Sequence, residues 1–245
     1  MPGELVDETL ALPVSTTLSP SSSSSPARAR PPLASVGAAV PAATSAAAPA
    51  HAAETLAQIA VADWVSLGNI AEACTACGLC KGRKKVVFGV PAPDAPWLFV
   101  GEGPGADEDL SGEPFVGQAG KLLDAMLASV DLARGVSATI VNVVKCRPPG
   151  NRTPQPAEAA ACAPFLDRQI ALMRPKLIVA LGKTAITRLT GADVPMAALR
   201  QKVHRYQGIP VVATYHPAYL LRNMPDKLKA WEDLQFARDV LDGRR

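Results

Sequence analysis

Trp97-Leu-Phe-Val-Gly-Glu-Gly-Pro-Gly105 is four apolar residues followed at once by closely spaced glycines. The apolar run is short and ends in Gly101, which reads as a buried strand running into a loop whose backbone can approach a ligand. Outward from it the same grammar repeats. Ala138 to Val144 (ATIVNVV), Lys176 to Gly182 (KLIVALG) and Ile209 to Thr214 read as three more strands. Between them lie helical patterns. Gly117 to Val130 places Leu122, Leu123, Met126 and Leu127 on one face, Pro154 opens a helix that Pro175 stops after Met173, and another runs from Asp226 to Leu241. Ahead of them, Leu56, Ile59, Trp64, Leu67 and Ile70 predict one or two helices over Glu54 to Ala73. Strands alternating with helices predict an α/β fold: three layers, α/β/α, around a central, mainly parallel four-stranded sheet. In such sheets ligands bind beyond the carboxyl ends of the strands. That rule selects the loops beginning at Gly101, Lys145 and Tyr215.

The first 53 residues are of another kind. From Leu10 to Ala53 the chain is almost all Ala, Pro, Ser, Thr and Val, including Ser21 to Ser25. Burial of such side chains does not offset the entropy of ordering them, so residues 1–53 are expected to be a disordered tail and 54–245 the folded domain. The tail's protein partner, if it has one, is not legible. Its first ten residues carry Glu4, Asp7 and Glu8 and no basic residue, unlike a secretory signal. No apolar run is long enough to span a bilayer, so the expectation is a cytoplasmic monomer with no membrane partner.

The domain is mildly basic. Two of the 25 basic residues and three of the 22 acidic ones lie in the tail, leaving 23 against 19. That excess alone does not imply nucleic acid. Its placement is more informative: Lys81, Arg83, Lys84 and Lys85 follow the first cysteines, and Lys145, Arg147 and Arg152 surround Cys146. Five cysteines without an export signal point away from disulfides and toward a metal or catalytic role. Cys74 and Cys77 form a tight pair, while Cys146 and Cys162 are 15 residues apart, a poor match to the paired knuckles of a zinc ribbon. Cys80 extends the first pair to C-x2-C-x2-C and is the odd one out. The Gly101–Gly117 loop is neither G-x-G-x-x-G nor a P-loop, which disfavours nucleotide phosphates. His216, followed by Pro217, is presented just beyond a strand.

Together the cysteine spacing, GEGPG…GEPFVGQAG, NVVKCRPPGNR (142–152) and HPAYLLR (216–222) resemble the family 4 uracil-DNA glycosylases, the iron–sulfur branch of that superfamily. The resemblance spans about 74–241. It implies a monofunctional enzyme of base excision repair that flips uracil out of single- or double-stranded DNA and hydrolyses its N-glycosidic bond. It further implies a 4Fe–4S cluster on Cys74, Cys77, Cys146 and Cys162. By the same resemblance Glu102, Gly103 and Pro104 line the uracil pocket, Phe115 stacks on the base, Asn142 reads its Watson–Crick edge and His216 stabilises charge at O2. Leu220 or Leu221 would wedge into the duplex, with Arg222 and Arg147 touching its backbone.

Classical uracil glycosylases resemble this loop but carry an aspartate, which positions water, where this chain has Gly103. That leaves Glu102 and Glu108 as the nearest candidates for helping water or shaping the pocket against thymine's methyl group, the alternative being that Asp107, Glu108 and Asp109 form a solvated acidic turn. No lysine is placed as a Schiff-base nucleophile. No histidine follows Cys146 as in the branch that bonds to the abasic sugar. The alternative from another class is a non-catalytic iron–sulfur module for nucleic-acid binding or electron transfer. It would need neither Asn142 nor His216.

Overall fold

The computed structural model describes residues 51–245. The expected tail lies outside the described residues except for its last stretch, His51 to Ala53, and there the boundary moves. The Nε2 of His51 bonds the Ala161 carbonyl at 3.0 Å, and its ring meets Phe165 edge-on at 5.4 Å. Helix α1 (Ala53–Val61) begins directly after it. The folded part therefore starts before residue 54.

Five strands form one sheet: β1 (Trp97–Gly101), β2 (Ala138–Asn142), β3 (Leu177–Leu181), β4 (Val203–Tyr206) and β5 (Ile209–Thr214), in the order β2-β1-β3-β5-β4. The four expected strands pair in parallel. β1, β2 and β3 are buried along their whole length, as continuous apolar runs require when helices cover both faces. Alternate side chains separate into two cores. Leu98, Val100, Val141 and Ile178 meet α5 (Pro156–Met173) and α6 (Lys183–Thr190). Trp97, Phe99, Ile140 and Val179 meet α4 (Gln118–Ala128) and α9 (Lys227–Leu241). A smaller core holds α1 and α2 (Trp64–Ala73) against Phe165 of α5.

The fifth strand corrects the expected four. β4 runs antiparallel to β5 at the sheet edge and is joined to it by Gln207 and Gly208. Both turn residues have positive φ (47° and 86°), the two-residue hairpin geometry whose twist matches the strands. Val-His-Arg-Tyr with mostly exposed faces carries no apolar run, so periodicity does not find it. The remaining short helices are α3 (Ala106–Ser111), α7 (Met196–Leu199) and α8 (Pro217–Arg222). No helix among the described residues is long and apolar enough to cross a membrane.

Candidate active site

The carboxyl ends of β1, β2 and β5 open onto a cavity of about 580 Å³. Glu102, Gly103, Pro104, Phe115, Asn142 and His216 all line it, so residues 114 positions apart in the chain share one wall. Parallel register puts Gly101 opposite Asn142 at the rim of β1 and β2.

The loop between β1 and α4 is held from within. One carboxylate, Glu108, accepts the N–H groups of Gly105 (3.0 Å), Val116 (2.9 Å) and Gly117 (3.0 Å). Between those anchors Phe115 adopts a left-handed backbone, φ 57°, unusual for an aromatic residue. From the other side Arg134 donates to the carbonyls of Pro114 (2.7 Å) and Phe115 (2.8 Å) and pairs with Asp124 at 2.8 Å. Strain of this kind costs about 1–3 kcal/mol and persists only where the surroundings over-determine it, as these two clamps do. Glu108 is thus spent on backbone N–H groups rather than on water. The G-x-x-E spacing at the start of α3 hints at this use. Nothing in the sequence marks Arg134.

Asn142 is 2% exposed, and its Oδ1 is buried without a hydrogen-bond partner. Such an atom costs about 1–3 kcal/mol, which a pocket recovers when a ligand supplies the missing donor. Its backbone is fixed by the fully buried Lys145, whose Nζ donates to the Asn142 carbonyl at 2.6 Å. Burial pushes the Lys145 ammonium down to about 8. Gly101 is what lets Asn142 and Phe115 sit so close. A Cβ there would lie 2.5 Å from Phe115 Cζ and would also overlap Asn142 Oδ1. Gly101→Ala is therefore expected to destabilise the domain by about 1–3 kcal/mol, the usual cost of overpacking, and to impair the cavity more than the fold. Thermal unfolding beside a catalytic assay checks both.

His216 caps α8. Its Nδ1 accepts the Ala218 N–H at 3.1 Å, which leaves the proton on Nε2. Burial, aided by the nearby Arg222 charge, pushes its pKa down to about 4. The ring is consequently a neutral donor at ordinary pH. It lies 5.6 Å from the Phe115 ring, tilted by 31°.

Glu102 accepts a hydrogen bond on Oε2 from the Thr184 hydroxyl at the start of α6. The loop after β2 supplies a second wall through Pro148, Asn151, Arg152 and Thr153. Its shape is set by a two-pronged Arg152–Glu158 pair (2.8 and 2.7 Å) and by Arg147 Nε on Asn151 Oδ1 at 2.7 Å. Arg222 and Tyr219 also reach the cavity, whereas Arg147, Leu220 and Leu221 do not. Leu220 is wholly buried in the core between α4 and α9, while Leu221 is 41% exposed. Withdrawing a fully buried leucine costs about 1.5–3 kcal/mol, so of the two only Leu221 presents its side chain to solvent.

On the far side of Lys145, all five cysteines line one small pocket with apolar walls that include Ala71, Ala76 and Phe165. Arg83 spans it, donating to the Cys74 carbonyl (2.8 Å) and to Cys146 Sγ (3.3 Å). Burial pushes Cys146 up to about 11 and Cys162 up to about 12. Thiols in such a place stay protonated unless a cation arrives to hold their thiolates. Among the described residues, no three His, Cys, Asp or Glu side chains converge closely enough for a single ion. An all-thiol donor set spread around a pocket fits a multi-iron cluster better than one ion.

Residues 88–235 match the model of the uracil DNA glycosylase superfamily. The type-4 uracil-DNA glycosylase of Thermotoga maritima is 45% identical over 172 residues, 69% of this chain and 89% of that protein. Those of Archaeoglobus fulgidus (45%, covering 60% of this chain and 78% of the relative) and Saccharolobus solfataricus (37%, covering 70% and 83%) are similar over comparable lengths. The family match takes in all five strands and the cavity loops between them, and with relatives of this identity and coverage the chain belongs to the type-4 branch of the uracil DNA glycosylase superfamily.

Proposed function

We propose that the protein excises uracil from DNA by hydrolysis of the N-glycosidic bond, as the first step of base excision repair. The observation that carries this reading is the orphaned Asn142 Oδ1 in the same cavity as Phe115 and a neutral His216.

Uracil presents an N3–H donor beside its O4 acceptor. The Asn142 amide is its complement: Oδ1 accepts from N3–H and Nδ2 donates to O4. Cytosine offers the reverse pattern and would leave buried groups unpaired, a mismatch that excludes analogues by about 10⁴-fold in sites of this kind. Phe115 offers its ring to the base. As the N1–C1′ bond breaks, its electron pair moves onto the uracil ring and negative charge gathers at O2. The Nε2–H of His216 donates there, and Arg222 adds a positive field. Water adds through its oxygen to C1′ of the sugar cation, and the proton it gives up neutralises the departed uracil anion. The hydrogen bond to Thr184 occupies Glu102 Oε2 and leaves Oε1 to orient that water.

Cys74, Cys77, Cys146 and Cys162 would hold a 4Fe–4S cluster, which supplies cross-linking rather than bond-breaking chemistry. Lys145 lies between the thiols and the Asn142 carbonyl, so this linkage fixes the reading strand relative to the basic loops. Leu221, Arg222 and Arg147 are the DNA-facing candidates.

The test is release of base from oligonucleotides bearing uracil, thymine, cytosine or hypoxanthine, single- and double-stranded. Uracil release with intact DNA sugars is expected. Tight DNA binding without release of any base would favour the non-catalytic module instead.

A further inference from the structure

Cys80 lies outside the four-ligand set, yet it lines the same pocket as the other four thiols. The spacing Cys74-x2-Cys77-x2-Cys80 contains the tight pair twice, with Cys77 common to both. A tight turn also joins the second pair. Residues Gly78–Lys81 form a 3₁₀ turn preceded by Cys77, and the Cys80 N–H approaches the Cys77 carbonyl at 3.4 Å. The turn keeps Cys80 close to Cys77 in space, and both thiols line the one pocket. Cys74 and Cys80 are both partly exposed, on either side of Cys77 in the chain.

We infer that the tight pair closes in either of two registers, and that Cys80 replaces Cys74 as a cluster ligand when Cys74 is lost. This rests on the cluster reading above. The exchange is thiolate for thiolate: the Cys80 thiol gives its proton to solvent and its sulfur bonds the iron that Cys74 would hold. No electron is transferred and no co-reactant is needed.

The experiment measures iron and acid-labile sulfide per chain in anaerobically purified wild type, C74A, C80A and C74A/C80A. Each sample is also treated with iodoacetamide under native conditions and mapped by peptide mass spectrometry. The wild type and both single variants are expected to carry the same iron, and the double variant to lose it. Alkylation should mark Cys80 alone in the wild type and spare it in C74A. A C74A protein as poor in iron as C74A/C80A overturns the proposal while leaving the cluster reading intact. So does a double variant that keeps its iron, or a wild type labelled at a cysteine other than Cys80. A wild type without iron overturns the cluster reading itself, and this inference with it.

Discussion

Asn142→Ala is expected to lower kcat/KM on a uracil-containing oligonucleotide by about 10²- to 10⁴-fold with little change in the stability of the free protein. The loss follows from two hydrogen bonds to a desolvated base, each of whose abandoned partners costs about 1–3 kcal/mol. The stability half of the expectation is the more discriminating. In the free protein Asn142 Oδ1 has no partner, so truncation removes a buried polar liability as well as some packing. Ordinary buried asparagines that bond the fold behave oppositely and destabilise when removed. Single-turnover kinetics and thermal denaturation, run on the same preparation, give both numbers. A variant that is fully active, or one that is inactive only because it unfolds, would remove Asn142 from base reading.

His216→Ala is expected to cost about 10²- to 10³-fold in the chemical step, the usual effect of losing a preorganised donor to a developing oxyanion. It also removes the cap on the Ala218 N–H, worth about 1 kcal/mol of stability. The pH dependence tells a neutral donor from a charged one. A histidine held at about 4 remains neutral through the range in which a free imidazole, near ~6.5, would titrate. The ratio of wild-type to variant rates should therefore stay flat from about pH 8 down to about pH 5. Stability moves the other way. Between the unfolded value and about 4, the unfolded chain binds a proton that the folded chain refuses. The wild type thus loses stability relative to the variant as pH falls through that window, and the relative loss levels off below about 4. A rate ratio that climbs as the imidazole protonates would show that the charged form is the catalyst.

The parallel strands, the loops at their carboxyl ends and the polar residues those loops carry were legible because each is a local pattern. An apolar run such as Leu177–Leu181 has few other meanings in a chain of this composition, and a histidine before proline after a strand has few other positions. Features that depend on distant partners were not legible. β4 is a strand only because β5 offers it an edge and Gln207-Gly208 turns tightly. Arg134 acts 19 residues from the carbonyl it holds, and nothing near it in sequence announces that. The choice between Leu220 and Leu221 was undecidable from adjacent identical residues, since only the helical phase of α8 against α4 and α9 buries one and leaves the other outside.

The paired anchoring of Phe115 by Glu108 and Arg134 bears on timing. All of those bonds lie within the protein, so the aromatic face stands in place before any nucleotide arrives. A receptor finished in advance has no closing motion of that wall to wait for. On the proposed role of Phe115, encounter with the duplex and extrusion of the nucleotide are expected to set the pace, with a mispaired or single-stranded uracil, already loosely stacked, captured fastest. The stiffness of one loop in the enzyme would then turn differences in the suppleness of DNA into differences in rate.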